Sequence, residues 1–170
     1  MARFKQSGES QATLPAGVPS GLTFNGYFAA VVAGASANYK LRRCHLGVRA
    51  GTGVPTSMQV TVGVYRQTTR AAGTGVANAA GQAMDPRSAA TAVGGLDTTT
   101  AAAAGTTGPV VATNPMERLT FNTQSGYDVP WEMLEEWICD QGTANGIAFV
   151  NLNNALPASH VLTIDTEWEE

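Results

Sequence analysis

The sequence predicts an all-β protein: an antiparallel β-sandwich, jelly-roll-like, with one short helix and a long Ala/Gly/Thr-rich loop. Three observations predict it. Segments alternating apolar and polar residues recur along the chain, with turn signals roughly every ten residues, as in sandwiches. Only residues 128–139 carry helical periodicity. Between positions 70 and 114, 29 of 45 residues are Ala, Gly or Thr, too few large apolar groups to build a separate core.

The elements follow in order. Residues 1–21 (MARFKQSGESQATLPAGVPSG) lack periodicity and contain Pro15 and Pro19, so they read as an extended arm. The sandwich domain then runs over residues 22–170, with the small-residue stretch as an insertion loop at 70–114. Residues 22–32 (LTFNGYFAAVV) are aromatic and β-branched, one or two strands broken near Gly26. Residues 39–49 (YKLRRCHLGVR) alternate imperfectly, with period two fitting better than 3.6. Residues 58–65 alternate cleanly, Met58, Val60, Val62 and Val64 facing one way. Across the GTGVPTS turn, these two segments are expected to pair as an antiparallel hairpin.

Beyond the insertion, residues 116–122 (MERLTFN) read as a strand with Leu119 and Phe121 inward. Residues 128–139 (DVPWEMLEEWIC) predict the helix. Asp128 lies near the capping position, Pro130 suits the first turn, and Glu132, Glu135 and Glu136 favour the N-terminal half. Trp131, Leu134 and Ile138 form its apolar stripe. Residues 145–152 and 161–168 complete the set as two further strands.

The totals narrow the function. Only 14% of residues are charged, against a usual ~25%. The net charge of −3 conceals an asymmetry: residues 1–90 carry +7 and residues 91–170 carry −10. Either the two halves fold together and their charges mix on one surface, or a basic face meets the acidic face of an adjacent copy. Nucleic acid is a poor partner, because Arg42, Arg43 and Arg49 form no dense patch and the pI is near 5.3. No export signal opens the sequence, and no apolar run is long enough to span a membrane.

No catalytic set emerges. His45 follows Cys44, and His160 follows Ser159, so in a strand each pair points to opposite faces. Both histidines read as structural, and Cys44 and Cys139 as buried thiols rather than a bridge or zinc ligands. Asp165, Glu167 and Glu169 share one face of the last strand, as a solvated acidic edge or a set of ion-pair partners. Glu132, Glu135 and Glu136 read as the solvated face of the helix. The GTG fragments at 51–53 and 73–75 match no phosphate loop. Catalytic, cofactor-binding and metal-binding residues are therefore all expected to be none, with no cofactor and no enzymatic activity. The aromatics (Trp131, Trp137, Trp168, Tyr27, Tyr39, Tyr65 and Tyr127) leave open a carbohydrate-binding module, which needs an exposed stacking row.

The arm ARFKQSGESQATLPAGVPSG, the sandwich pattern, the small-residue insertion and the lack of a catalytic set together resemble tailed-bacteriophage virion proteins of the capsid cement, decoration or auxiliary head type. YKLRRCHLGVRAGTGVPTSMQVTVGVYR and ALPASHVLTIDTEWEE are similar to segments of small phage structural proteins. The resemblance implies a jelly-roll-like protein on the capsid surface of the virion. It would bridge neighbouring subunits, with the major capsid protein and other copies of itself as partners, often as a homotrimer or another symmetric oligomer. A tail, neck or fibre component would share the same features. No site residue carries over from the resemblance.

Overall fold

The structure, a computed structural model, describes residues 1–10, 26–69, 81–87, 90–97, 110–131 and 135–170. It is all-β. The described residues form twelve strands and no helix: β1 (Arg3–Glu9), β2 (Tyr27–Val32), β3 (Tyr39–Ala50), β4 (Gln59–Thr69), β5 (Gln82–Ala83), β6 (Gly95–Asp97), β7 (Val110–Val111), β8 (Glu117–Asn122), β9 (Tyr127–Pro130), β10 (Trp137–Cys139), β11 (Gly146–Asn151) and β12 (His160–Glu169).

They make two antiparallel sheets. The first runs β10-β3-β12-β1-β5, with β9 also paired to β3; the second runs β6-β2-β11-β4-β7, with β8 also paired to β4. One core joins their facing sides. Phe4, Leu41, Cys44, Leu46, Leu162, Ile164 and Trp168 from the first sheet meet Phe28, Val31, Val60, Val62, Val64, Leu119, Ile147 and Phe149 from the second. The alternation read in residues 58–65 is the cause on the β4 side, since Val60, Val62 and Val64 all point into this core. The opposite side of the second sheet is buried as well. Tyr27, Ala30, Val32, Tyr65, Ala148 and Val150 form a separate cluster there. Covered on both faces, β2 (YFAAVV) and β11 (GIAFVN) are buried at every position.

The imperfect alternation of residues 39–49 has a structural cause. Trp168 pairs with Leu41 but Glu167 pairs with Arg43, so Arg42 is an extra residue, a β-bulge. Tyr39 and Leu41 point inward before it, Cys44 and Leu46 after it. One inserted residue shifts the phase of the pattern.

Four expectations are corrected. The helix over residues 128–139 is not formed. Its ends are strands β9 and β10, each antiparallel to β3, while residues 132–134 lie outside the described residues. Pro130 ends β9 at the margin of the sheet, where no ladder N–H is required. Asp128 binds Arg43 rather than capping a helix. The hairpin between residues 39–49 and 58–65 is also absent, because β3 and β4 belong to different sheets. Both sides of β3 are taken by β12 and by β9 and β10, so its apolar face meets β4 across the core, not along an edge.

Residues 3–9 of the expected arm are not outside the sandwich domain. They form β1, paired along its whole length with β12, and Phe4 is buried. Residues 11–21 lie outside the described residues. The insertion, finally, supplies strands: β5 pairs with β1, β6 with β2 and β7 with β4, so it is tied to both sheets. Its residues 70–80, 88–89 and 98–109 lie outside the described residues.

Candidate functional site

The outer face of the first sheet brings together charges from both halves of the sequence. Alternation fixes which side chains stand there. With Phe4 inward, β1 presents Arg3, Lys5, Ser7 and Glu9; with Cys44 and Leu46 inward, β3 presents Arg43, His45 and Arg49. With Ile164, Thr166 and Trp168 inward, β12 presents Asp165, Glu167 and Glu169, on one face as the sequence suggests.

Register sets the neighbours. Glu167 lies between Arg43 and Lys5, Asp165 between His45 and Ser7, and Glu169 beside Arg3. On the far side of β3, Asp128 of β9 stands opposite His45. The acids of β12 are thus flanked by the cations of β1 and β3, so the two halves mix their charges within one face.

Several of these groups bond directly. The Arg43 guanidinium grips Asp128 with two nitrogens, Nε donating to Oδ1 at 2.8 Å. These hydrogen bonds hold the Asp128 carboxyl below the usual carboxylate range. Arg49 grips Glu9 in the same way at 3.0 and 2.7 Å, and lowers that carboxyl too. Arg3 reaches Glu167 at 3.7 Å and Glu169 at 3.8 Å. A concavity of about 250 Å³ opens in this face, lined by Lys5, Arg43, His45, Asp165, Thr166 and Glu167.

Beside this face, the bulge residue Arg42 is turned into a half-buried triad. Its guanidinium bonds to Glu136 and to Glu169, the latter through Nε at 2.7 Å. Glu136, expected on a solvated helix face, is therefore buried in an ion pair.

The face assembles no nucleophilic machinery. Ser7, Asp165 and His45 lie in one row, but Asp165 stands between the other two. Ser7 is two strand spacings from His45, roughly 10 Å, so the imidazole cannot take its proton. His160 is structural: the Thr56 N–H donates to Nε2 at 3.0 Å, and Nδ1 meets the Ala158 carbonyl at 3.0 Å. Cys44 and Cys139 are free thiols, both buried. Burial pushes both thiols up from their ordinary range. Among the described residues no three His, Cys, Asp or Glu side chains are grouped to hold a metal ion. The GTG at 51–53 is an exposed turn, and the one at 73–75 lies outside the described residues.

The aromatics do not form a platform. Trp168, Tyr27, Tyr39 and Tyr65 are buried, and Trp131 and Trp137 pack against the core. Tyr127 is exposed but stacks on Phe121 at 6.3 Å. No sequence motif marks the charged face, because its members come from β1, β3, β9 and β12. Its traces in the sequence are the charge asymmetry of the two halves and the shared face of Asp165, Glu167 and Glu169. No protein-family model matches the chain, and no curated protein matches it.

Proposed function

We propose that this chain is a non-enzymatic structural protein of a virion. It binds the capsid surface and bridges neighbouring capsid subunits, as cement or decoration proteins do. The observation that supports the reading best is strand order. Taking β9 and β10 as one interrupted strand, the first sheet contains the order 1-12-3-9/10 and the second 2-11-4-8. In order along the chain, the eight long strands pair first with last, second with seventh, third with sixth and fourth with fifth. We read this order as the wrapping of a jelly roll, an architecture used by viral capsid and lectin domains. β5, β6 and β7 are additions to its edges.

Fold alone does not select a function. The lectin-type alternative, a carbohydrate-binding module, needs exposed aromatics in a row, and the described residues give Tyr127 alone. The cement reading draws on different features. The insertion is anchored at the edges of both sheets, the margins from which a neighbour is reached, and a preformed lattice multiplies weak contacts through high local density.

The test is attachment. Purified protein is mixed with particles that lack it, and the pellet and its cryo-electron density are examined. Saturable occupancy at equivalent lattice positions, spanning adjacent subunits, supports the reading. Density on the tail or fibre moves the protein to that class. An absence of sedimentation at any concentration overturns both.

A further inference from the structure

We propose that the charged outer face of the first sheet is a self-association surface. Two copies dock face to face about a two-fold axis that runs along the strands between β3 and β12.

The argument begins with the order of signs. Across the face the strands alternate: β9 is acidic (Asp128), β3 basic (Arg43, His45), β12 acidic (Asp165, Glu167) and β1 basic (Arg3, Lys5). A two-fold axis between β3 and β12 lays these two strands on partners of opposite sign. β3 falls on the partner's β12, and β9 falls on the partner's β1. Positions along the strand are kept, so Arg43 comes level with the partner's Glu167 and His45 with the partner's Asp165.

Shape follows the same symmetry. The 250 Å³ concavity spans β1, β12 and β3 and has Asp165 and Glu167 among its walls. The operation places the partner's Arg43 and His45 over a hollow whose walls carry both signs, with Asp165 and Glu167 beside Lys5, Arg43 and His45. Lys5, Arg43 and His45 are exposed in the single chain. Arg43 holds Asp128 through Nε and Nη2, so it meets the partner's acid through its remaining N–H groups.

Other occupants fit less well. A polyanion such as nucleic acid needs one sign across the face, and here the sign reverses at every strand. A three-fold axis cannot lay a face on itself, whereas an isologous contact is what a two-fold provides. The partner is a second copy, and a two-fold pair is one of the symmetric oligomers that the resemblance implies. The association is electrostatic and weak, because exposed ion pairs are screened by salt.

The inference rests on sheet geometry, not on the virion reading, and is tested on isolated protein without particles. Sedimentation velocity of the full chain is measured over a concentration series. A monomer–dimer equilibrium is expected at low ionic strength, weakened at least about tenfold as salt rises to about 0.5 M. Two variants sharpen it. Lys5→Glu with Arg43→Glu makes the face acidic, and Asp165→Lys with Glu167→Lys makes it basic. Each alone is expected to be monomeric, and an equimolar mixture of the two to form a heterodimer. A wild-type chain that is monomeric throughout at low salt, or a dimer indifferent to salt, overturns the proposal. So does a mixture of folded variants that does not associate. If the variants fail to fold, the wild-type salt series decides alone.

Discussion

The indole of Trp168 fills the space that a side chain at position 81 would need. A Cβ built on Gly81 meets Trp168 Cζ2 at 2.3 Å and Cη2 at 2.4 Å. The ring is fully buried and stacks on Phe4 at 6.1 Å, so it has nowhere to move without disturbing the core. Gly81 is there for space, not for an unusual backbone angle. Gly81→Ala is expected to destabilise the fold by about 1–3 kcal/mol, the cost of overpacking a core. Urea unfolding followed by tryptophan fluorescence checks it, and unchanged stability would show that the insertion does not pack on Trp168.

Read as a loose arm, the N-terminus is dispensable. Read as β1, it is not. Arg3–Glu9 lies between β12 and β5, and Phe4 is 1% exposed. Deleting residues 1–10 removes the full pairing of β12 on one side and uncovers Trp168. The truncated chain is expected to be unfolded or to aggregate, and Phe4→Ala to cost about 3–5 kcal/mol. Circular dichroism and chemical denaturation of both variants measure this. A deletion that leaves a cooperative fold of unchanged stability would remove β1 from the structural core.

Arg42 holds two carboxylates that have little access to water. Its side chain is 17% exposed, against 3% for Glu136 and 6% for Glu169. Arg42→Ala removes the cation that bonds both acids, leaving Glu169 the more distant Arg3 at 3.8 Å, and is expected to cost about 3–5 kcal/mol. The same substitution on a Glu136→Gln, Glu169→Gln background is expected to cost clearly less, because no buried charge is stranded. Equal losses on the two backgrounds would mean that Arg42 stabilises by packing alone.

Where the sequence misleads, the reasons are local. The alternation of β3 breaks at the bulge, and one extra residue at Arg42 is invisible in a pattern of apolar positions. Residues 128–139 imitate a helix because Trp131, Leu134 and Ile138 happen to fall at helical spacing, and Asp, Pro and Glu occur where a helix start would want them. Their real partners lie far away in sequence: Arg43 for Asp128, Arg42 for Glu136, Glu117 for the Trp131 indole at 3.1 Å. Where a strand has one face in the core and carries no bulge, as in residues 58–65 and 116–122, alternation locates it well. The charged face was legible only in part: alternation places Asp165, Glu167 and Glu169 together, but their neighbours are set by cross-strand register between β1, β3, β9 and β12.

Surface carboxylates bonded to arginines, Asp128 and Glu9 among them, set a mild acid sensitivity. Arg43 depresses Asp128 and Arg49 depresses Glu9, each mainly through hydrogen bonds. A group whose folded pKa lies below its unfolded value stabilises the fold above the unfolded value, and loses that contribution as pH falls through the folded one. Stability is therefore expected to fall slightly below about pH 4. The loss is small because both pairs are exposed and screened. Denaturant midpoints at falling pH, in low and high salt, test it. Asp128→Asn with Glu9→Gln is expected to flatten the slope, and an unaltered slope would assign acid sensitivity to other groups.

The two thiols differ in depth and so in accessibility. Cys44 is fully buried in the main core, and burial raises its pKa far out of the reactive range. Only the thiolate attacks an electrophile, so this sulfur is inert while the fold persists. Cys139 is also raised by burial, but it borders a small surface cavity of about 120 Å³ beside Arg66 and Gln67. A small alkylating reagent is expected to modify Cys139 slowly under native conditions and Cys44 only after global unfolding. Mass spectrometry of samples alkylated across a urea series reads both sites together. The Cys44 curve is expected to follow the fluorescence transition, and the Cys139 curve to begin earlier. Coincident curves would mean that the β10 edge opens only with the whole molecule. Early modification of Cys44 would mean that the core between the sheets opens below the global transition.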